Sequence, residues 1–538
     1  MGKELIYKFN CGCELPQRSE VIKEYDGLPP IEIDYYNIRL DCPATWNLIS
    51  SGRTRGIFQL ESNLGRSYSK KLEPDNIEHL AALTALLRPG CLGYIMDGKS
   101  MTMHFIDRKQ NREPVSYVED RLEQYLKETF GILVYQEQMI AISKGLAGFT
   151  PEQANKLRKS VGKKDMKALM GLKDLFVDGC VSNQVKQEIA TNIFENIEKS
   201  GRYLFNASHS YSYGMISYWT AYIKAHYPLH FFCSSMKYLK DKDELKDLMS
   251  EISLFDIQVK PPSISNLTER FNIKDGYIQF GLKDVKEVGQ SSVKLINEII
   301  EVEKLLNKEA KNFSWYEFLV LITPKTSTTT VNNLLMCGFL DNCGASRKKQ
   351  LHEYNTFVNI SKGEMTWVQD NWQKFSNLEE LLIGVMESKS CRAARKDKVA
   401  SLISSLRNPG KSVDDDAGFI YNNETELLGV ALSKNPVSKF AHLANIKCLN
   451  FENGKGNKNL IFTVMVVDVD ERTIKTGPNT GKKYANIKLA DLTGEIETSI
   501  FSKEWKEYKS MIVKGTPIMI RGCRNDDGKL RIEQVDLL

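Results

Sequence analysis

The sequence predicts a multi-domain α+β protein: mainly α-helical first, then paired helix–turn–helix segments, and all-β at the end. Three observations carry this. From Cys42 to about Tyr238 prolines are few and apolar residues recur at spacings of three and four, the period of an amphipathic helix. Gly281–Ile300 and Val331–Gln350 each read as helix, glycine turn, helix. From Leu460 onward, apolar and polar residues alternate in five short runs separated by turn residues, the period of half-buried strands. A length of 538 residues suits roughly three to four domains. The texture divides them as an N-terminal arm (1–45), a helical domain (46–240), the paired helix turns (241–350), a linker (351–455) and a barrel (456–538).

Composition narrows the class. With 73 basic and 68 acidic residues the net charge is only +5, so affinity for nucleic acid must come from local patches. The eleven cysteines are scattered, only Cys11 and Cys13 standing close together, which indicates free thiols in a reducing compartment. Cys11-Gly-Cys13 is a turn with free thiols or half of a metal site, and no second Cys/His pair at ligand spacing follows it. No apolar run approaches about 18 residues and no secretory leader opens the chain, so a cytoplasmic protein away from membranes is expected.

Taken in order, the arm is punctuated by Pro29–Pro30. Ile132–Leu146 carries an apolar stripe with Gln136, Glu137 and Gln138 on its early turns, and Gly148 and Pro151 mark a stop and a new start. Then comes Asn155–Lys167, NKLRKSVGKKDMK, with cations at Lys156, Arg158, Lys159, Lys163, Lys164 and Lys167 against the single acid Asp165. Gly162 is expected to interrupt the helix there, bringing cations and freed backbone N–H groups onto one polyanion, a triphosphate or a nucleic-acid backbone. A solvated basic face is the alternative. Helices are expected over Ala168–Val181, Val185–Lys199 and Tyr213–Tyr227, the last closed by Pro228, with Gly201–Ser212 as a connection.

Pro261–Pro262 break the helical texture, and Tyr277–Gly281 is a short strand. The glycine turns that follow, at Gly289 and at Gly338 and Gly344, either aim N–H groups at a phosphate without reading a base or simply pack, and Lys286, Arg347 and Lys348 supply charge beside them. Asp414–Asp416 is read as part of a solvated linker and not as a metal site. The final runs are Leu460–Val469, Tyr484–Asp491, Glu495–Phe501, Pro517–Cys523 and Leu530–Val535, with a helix at Lys503–Lys509 between the third and fourth. That is the order of an OB-fold barrel, which commonly binds single-stranded nucleic acid. Lys475, Lys482, Lys483 and Tyr484 on its first hairpin would serve such a ligand, and a purely structural barrel is the alternative.

Seven blocks in order resemble the α subunit of bacterial DNA polymerase III, the C-family replicative polymerase. They are Gly56-Ile-Phe-Gln-Leu-Glu-Ser62, Ala85-Leu-Leu-Arg-Pro-Gly90, Phe105-Ile-Asp-Arg-Lys109, Thr129 to Gln138 (TFGILVYQEQ), Leu157 to Lys164 (LRKSVGKK), Phe205-Asn-Ala-Ser-His-Ser210 with Tyr213 and Lys224-Ala-His-Tyr-Pro228, and Glu426-Leu-Leu-Gly429 through Asn435-Pro436. The resemblance implies a fingers domain, a helix-hairpin-helix-like region and an OB domain. Two departures stand out: Ala207 where the family often has lysine, and Glu287 where a glycine is expected before Val288-Gly289.

By this resemblance the chemistry is template-directed nucleotidyl transfer on dNTP substrates with two Mg²⁺ ions. The family's metal-binding aspartates lie in a palm upstream of the first matching block, so no catalytic carboxylate is assigned in this chain, and Asp468-Val-Asp470 falls in the barrel instead. A separate palm-containing polypeptide is the expected partner, holding Mg²⁺, and this chain alone is expected to be inactive. Arg158, Lys159, Lys163 and Lys164 would bind the triphosphate, with Asn206, His209 and Tyr213 lining the nucleotide pocket; Arg88 would orient a helix or touch DNA. Primer-template DNA is the second partner. Gln534-Val-Asp-Leu-Leu538 resembles the short peptides that hold a sliding clamp, through Gln534, Leu537 and Leu538, but the last barrel strand ending in two core leucines is the favoured reading. The alternative function is a non-catalytic DNA-binding or replisome-assembly factor derived from a polymerase. The resemblance, with the compact form, implies a phage or other mobile element as the source.

Overall fold

The computed structural model describes residues 37–163, 165–201, 203–239, 242–433, 436–448, 451, 458–474, 480–491, 493–525 and 528–538. Cys11, Cys13, Lys164, Asn435 and Lys475 lie outside these residues. The chain divides into two compact units, with the break between Phe231 and Phe232.

The first unit is helical. Its elements include α1 (Pro43–Ser50), α2 (Ile77–Leu86), α3 (Gln136–Ala147), α4 (Pro151–Lys163), α5 (Met166–Ser182), α6 (Gln187–Ser200) and α7 (Ala207–His226). Met139 and Ile142 of α3, Leu157 and Val161 of α4, Phe176 of α5 and Phe194 and Ile197 of α6 share one buried cluster, which the spacing of three and four predicts. Each large side chain so buried contributes about 2–3 kcal/mol before entropy is counted. Helix α7 lies on α2 and α1. The approach to α2 is close: a Cβ at Gly214 would meet the backbone nitrogen of Ala81 at 3.3 Å.

Two expectations are corrected here. Helix α4 runs through Gly162 to Lys163, because one glycine near a helix end costs only about 1 kcal/mol and Leu157 and Val161 just before it are anchored in the core. Helix α7 begins six residues before Tyr213, at Ala207, because the Asn206 side chain caps it by accepting from the His209 N–H at 2.9 Å.

In the second unit a helix at Lys242–Ile252 leads to a three-stranded sheet, β1 (Val259–Lys260), β2 (Asn272–Lys274) and β3 (Tyr277–Gln279), ordered β1-β3-β2. The first helix–turn–helix stretch then makes a 3-10 turn at Leu282–Asp284 and passes through Glu287 and Gly289 into α8 (Ser291–Leu306). Glu287 sits at φ 61°, the left-handed region in which glycine is free of strain. The second stretch joins α9 (Thr328–Met336) to α10 (Arg347–Phe357) through left-handed Gly338 and Gly344. Helices α11 (Lys362–Asn371), α12 (Leu378–Glu387), α13 (Ala393–Arg407) and α14 (Ala417–Leu428) follow. The acidic run is no solvated linker: Asp415 accepts from the backbone N–H groups of Arg347 and Lys348 at 2.9 and 3.0 Å, and Asp416 caps α14 through the Phe419 N–H at 2.7 Å.

The last strands are β4 (Leu460–Thr473), β5 (Lys483–Ala490), β6 (Glu495–Ile500), β7 (Pro517–Arg524) and β8 (Leu530–Leu537), with α15 (Ser502–Tyr508) between β6 and β7. They pair in the order β8-β7-β4-β5-β6, all antiparallel. Thr498 Oγ1 of β6 donates to the Leu530 carbonyl at the start of β8, drawing the outer strands together as an OB barrel requires. Phe462, Val464, Ile487, Ile518 and Ile520 fill the interior, as strict alternation predicts. Among the described residues no helix is long and apolar enough to cross a membrane.

Candidate functional site

The site is built on the first turn of α3. Tyr135 forms a parallel bridge with Phe205, and the Gln136 N–H donates to the Phe205 carbonyl at 2.8 Å, so the chain just before α7 runs alongside the start of α3. Gln138 turns back, its Oε1 accepting from the N–H groups of Val134 and Tyr135, both at 2.9 Å. Glu137 accepts from Asn206 Nδ2 at 2.8 Å and from the Ala207 N–H at 2.9 Å. Its carboxylate therefore occupies the N-terminus of α7, where the helix dipole favours negative charge. Gln136 faces the other way and accepts from Arg158 Nη1 at 3.3 Å.

One row of side chains crosses this joint. The Arg88 guanidinium stands 3.3 Å from the centroid of the Phe205 ring, Phe205 meets His209 edge-on at 5.1 Å, His209 and Tyr213 lie 3.9 Å apart, and Tyr213 meets Phe58 at 5.1 Å. His209 and Tyr213 are one helical turn apart on α7, so starting that helix at Ala207 is what stacks them. Arg88 is thereby a cation–π partner of Phe205.

Arg158 is half-buried, and Lys159 and Lys163 are exposed one turn apart on the last turns of α4. Their position differs from the expected one. The freed N–H groups belong to the start of α5, where Asp165 takes the Ala168 N–H at 3.1 Å, while the end of α4 offers carbonyls and a negative dipole end that favours cations. Asn206 is spent on structure, its oxygen capping α7 and its amide nitrogen held by Glu137. The sequence reading missed Gln136 and Glu137 as partners, and Phe58 and Phe205 as members of the row. The signal was present: all four lie inside the quoted blocks.

The cations of the helix-turn region are countered from within. Arg347 is 1% exposed. It donates from Nε and Nη2 to Asp341 at 2.8 and 2.7 Å and from Nη2 to the fully buried Glu424 at 2.8 Å, so its assignment to DNA is corrected: the guanidinium has no face left for a phosphate. Lys348 pairs with Asp416 at 2.6 Å, and Lys286 with Glu426 at 3.3 Å.

On the barrel, Lys483 is held by Glu471 at 2.6 Å, together with Lys509 at 2.6 Å and Trp505 Nε1 at 2.9 Å. The hydrogen bonds from Lys483 and Lys509 pull the Glu471 carboxyl down to about 2. Tyr484 stacks on Phe501 at 6.2 Å, and Phe501 is 62% exposed, an aromatic the sequence reading left out. Lys482 is exposed. Asp468 and Asp470 lie in a groove of about 470 Å³ with Arg472, Asn486, Lys488 and Glu497, and Asp470 pairs with Arg472 at 2.7 Å. Gln534 and Leu537 belong to strand β8, paired with Arg521 and Ile518, and Leu538 packs against the Tyr421, Val437 and Met465 cluster. The clamp-peptide reading is corrected accordingly, since the backbone a groove would need is already in a sheet.

Comparison with known proteins agrees with this layout. The family described as "Bacterial DNA polymerase III alpha subunit finger domain" matches residues 18–184, and the "Helix-hairpin-helix motif" matches 256–350. DNA polymerase III subunit alpha of Aquifex aeolicus is 31% identical over 520 residues, 96% of this chain and 40% of that protein. The corresponding subunit of Bacillus subtilis is 29% identical over 94% of this chain and 42% of its own length, and that of Thermus aquaticus 28% identical over 96% and 40%. By these matches the chain is similar over nearly its whole length to bacterial DNA polymerase III α subunits, of whose length it spans about two fifths.

Proposed function

We propose that this chain is the nucleotide- and DNA-contacting part of a C-family replicative DNA polymerase, acting in template-directed nucleotidyl transfer together with a separate palm-containing polypeptide. The observation that carries the reading is Arg158, set beside the Phe205–His209–Tyr213 row by a neutral amide. A guanidinium has five N–H donors. With Gln136 as its one partner among the described residues, Arg158 keeps donors and an uncompensated charge for a triphosphate. Lys159 and Lys163 would add charge from the same helix, and the face of His209 or Tyr213 would meet base or sugar. The two Mg²⁺ ions of the reaction would be held by palm carboxylates on the partner. Primer-template DNA would run along the barrel's Lys482, Lys483 and Tyr484 and along Lys286 and Lys348. The complex would work in the cytoplasm.

The test is primer extension by this chain with and without the palm-bearing polypeptide. Activity is expected only with both. Arg158→Ala in the pair is expected to raise KM for dNTP about tenfold or more, the loss of a charged hydrogen-bonding partner, with primer-template affinity unchanged. Nucleotide use indifferent to Arg158→Ala would favour the rival reading, a non-catalytic DNA-binding or assembly factor.

A further inference from the structure

We infer that Gln136 is a positioning residue for Arg158, and that its being a neutral amide sets how tightly the site holds a nucleoside triphosphate; this rests on the nucleotide reading of Arg158 given above. Gln136 is fixed at three points. Its backbone N–H donates to the Phe205 carbonyl at 2.8 Å, its Nε2 reaches toward the Leu204 carbonyl at 3.4 Å, and its Oε1 accepts from Arg158 at 3.3 Å. One side chain thus ties the cation on α4 to the strand that leads into the aromatic row on α7. The neighbour Glu137 performs the matching task for α7 itself, holding Asn206 and the Ala207 N–H. A single turn of α3 fixes the cationic and the aromatic halves of the site relative to each other.

The chemistry of the partner matters as much as its place. A carboxylate at position 136 would orient the guanidinium equally well, but the triphosphate would then have to break an ion pair before binding. An amide oxygen takes one N–H, aims the plane and leaves the charge unspent. The contrast lies in the same molecule, where Arg347 is aimed by two carboxylates and is closed to any ligand.

The experiment titrates the full chain with dATP and Mg²⁺ at equilibrium, at low and at high salt, for Gln136→Met, Gln136→Glu, Arg158→Ala and the double variant Gln136→Met/Arg158→Ala. Thermal melts confirm that each is folded. Gln136→Met removes the acceptor at constant length and is expected to weaken binding about fivefold, the worth of one hydrogen bond to a charged group. Gln136→Glu is expected to weaken it further at low salt and to recover as salt screens the new pair. The double variant is expected to bind as Arg158→Ala does, because a residue that acts only through Arg158 has nothing left to position. If Gln136→Met binds like wild type while Arg158→Ala is weakened, the inference is overturned and the nucleotide reading stands. A double variant weakened beyond Arg158→Ala also overturns it, since a merely structural role adds its own loss. If neither single variant changes affinity, the nucleotide reading falls with it.

Discussion

Two regions of this chain carry arginines and lysines at the ends of helices, and they treat that charge in opposite ways. At the end of α4, Arg158 is held by an amide, and Lys159 and Lys163 reach into solvent. At the start of α10, Arg347 is buried between Asp341 and Glu424, Lys348 is paired with Asp416, and the helix's first N–H groups are taken by Asp415. The residue types are the same. What differs is the partner, and the partner decides whether a cation is a binding group or a structural pin. A basic helix end matched to a helix-hairpin-helix family therefore need not present its charge to a phosphate.

The contrast breaks most visibly at Arg347. Arg347→Ala leaves Glu424 fully buried without its cation, and the expected loss is about 3–5 kcal/mol in the stability of the second unit. Arg158→Ala, at a half-buried site with an amide partner, is expected to change stability by about 0.5 kcal/mol or less. Urea denaturation of the two variants reads the difference. If the two losses are alike, Arg347 is not the pin described here.

Acid sharpens the same comparison. Glu364 has a side chain with no exposed surface and accepts from Arg395 Nε and Nη2 at 3.1 and 2.7 Å and from the Ser361 N–H at 2.7 Å. Burial alone would raise its carboxyl, but the bonds from Arg395 and Ser361 outweigh it and hold the group down to about 2, against 4.5 when unfolded. The folded state therefore binds this proton more weakly than the unfolded one. The stabilisation is complete above about pH 4.5 and is lost as pH falls toward 2, roughly 3 kcal/mol in all. Thermal melts from pH 5 down to pH 2 should show this unit's stability falling, and Glu364→Gln should flatten the slope. The amide that holds Arg158 does not titrate, so no such window is expected from that contact.

Much of this was readable in the chain. The helical period placed α3, α5 and α6 to within a few residues, and alternation placed all five barrel strands, because both patterns are local and set by burial. The start of α7 was not, since Ala207–Tyr213 is rich in hydroxyls and aromatics and reads as a loop until Asn206 caps it. The fate of the charges was illegible for a different reason. Arg347 meets Glu424 across 77 positions and Asp415 meets the Arg347 N–H across 68, and nothing near an arginine in sequence reveals a carboxylate that far away. Of the candidate site, the resemblance supplied Arg158 and the residue types as expectations. That Gln136 would hold Arg158, and that Asn206 would be used up as a cap, needed the fold.

The smallest expected effect tests the contrast where it is finest, at Asp415. Its two oxygens accept from the N–H groups of Arg347 and Lys348, which places a carboxylate where a hairpin of this kind would receive a phosphate. Asp415→Asn keeps the shape and one acceptor but removes the charge, so the stability loss should be about 0.5–1 kcal/mol, the worth of an anion at a helix N-terminus. If the hairpin meets DNA as proposed, binding of primer-template should strengthen about twofold at low salt and converge with wild type as salt rises, because one repulsive charge has been removed. Equal affinity at every salt concentration would say that this hairpin does not face DNA, and the difference between the two regions would then be one of kind and not of degree. The outcome separates a helix end that is merely restrained by its own acids from one that has become part of the core, and Lys348, still tied to Asp416 in either case, sets the ceiling on the gain.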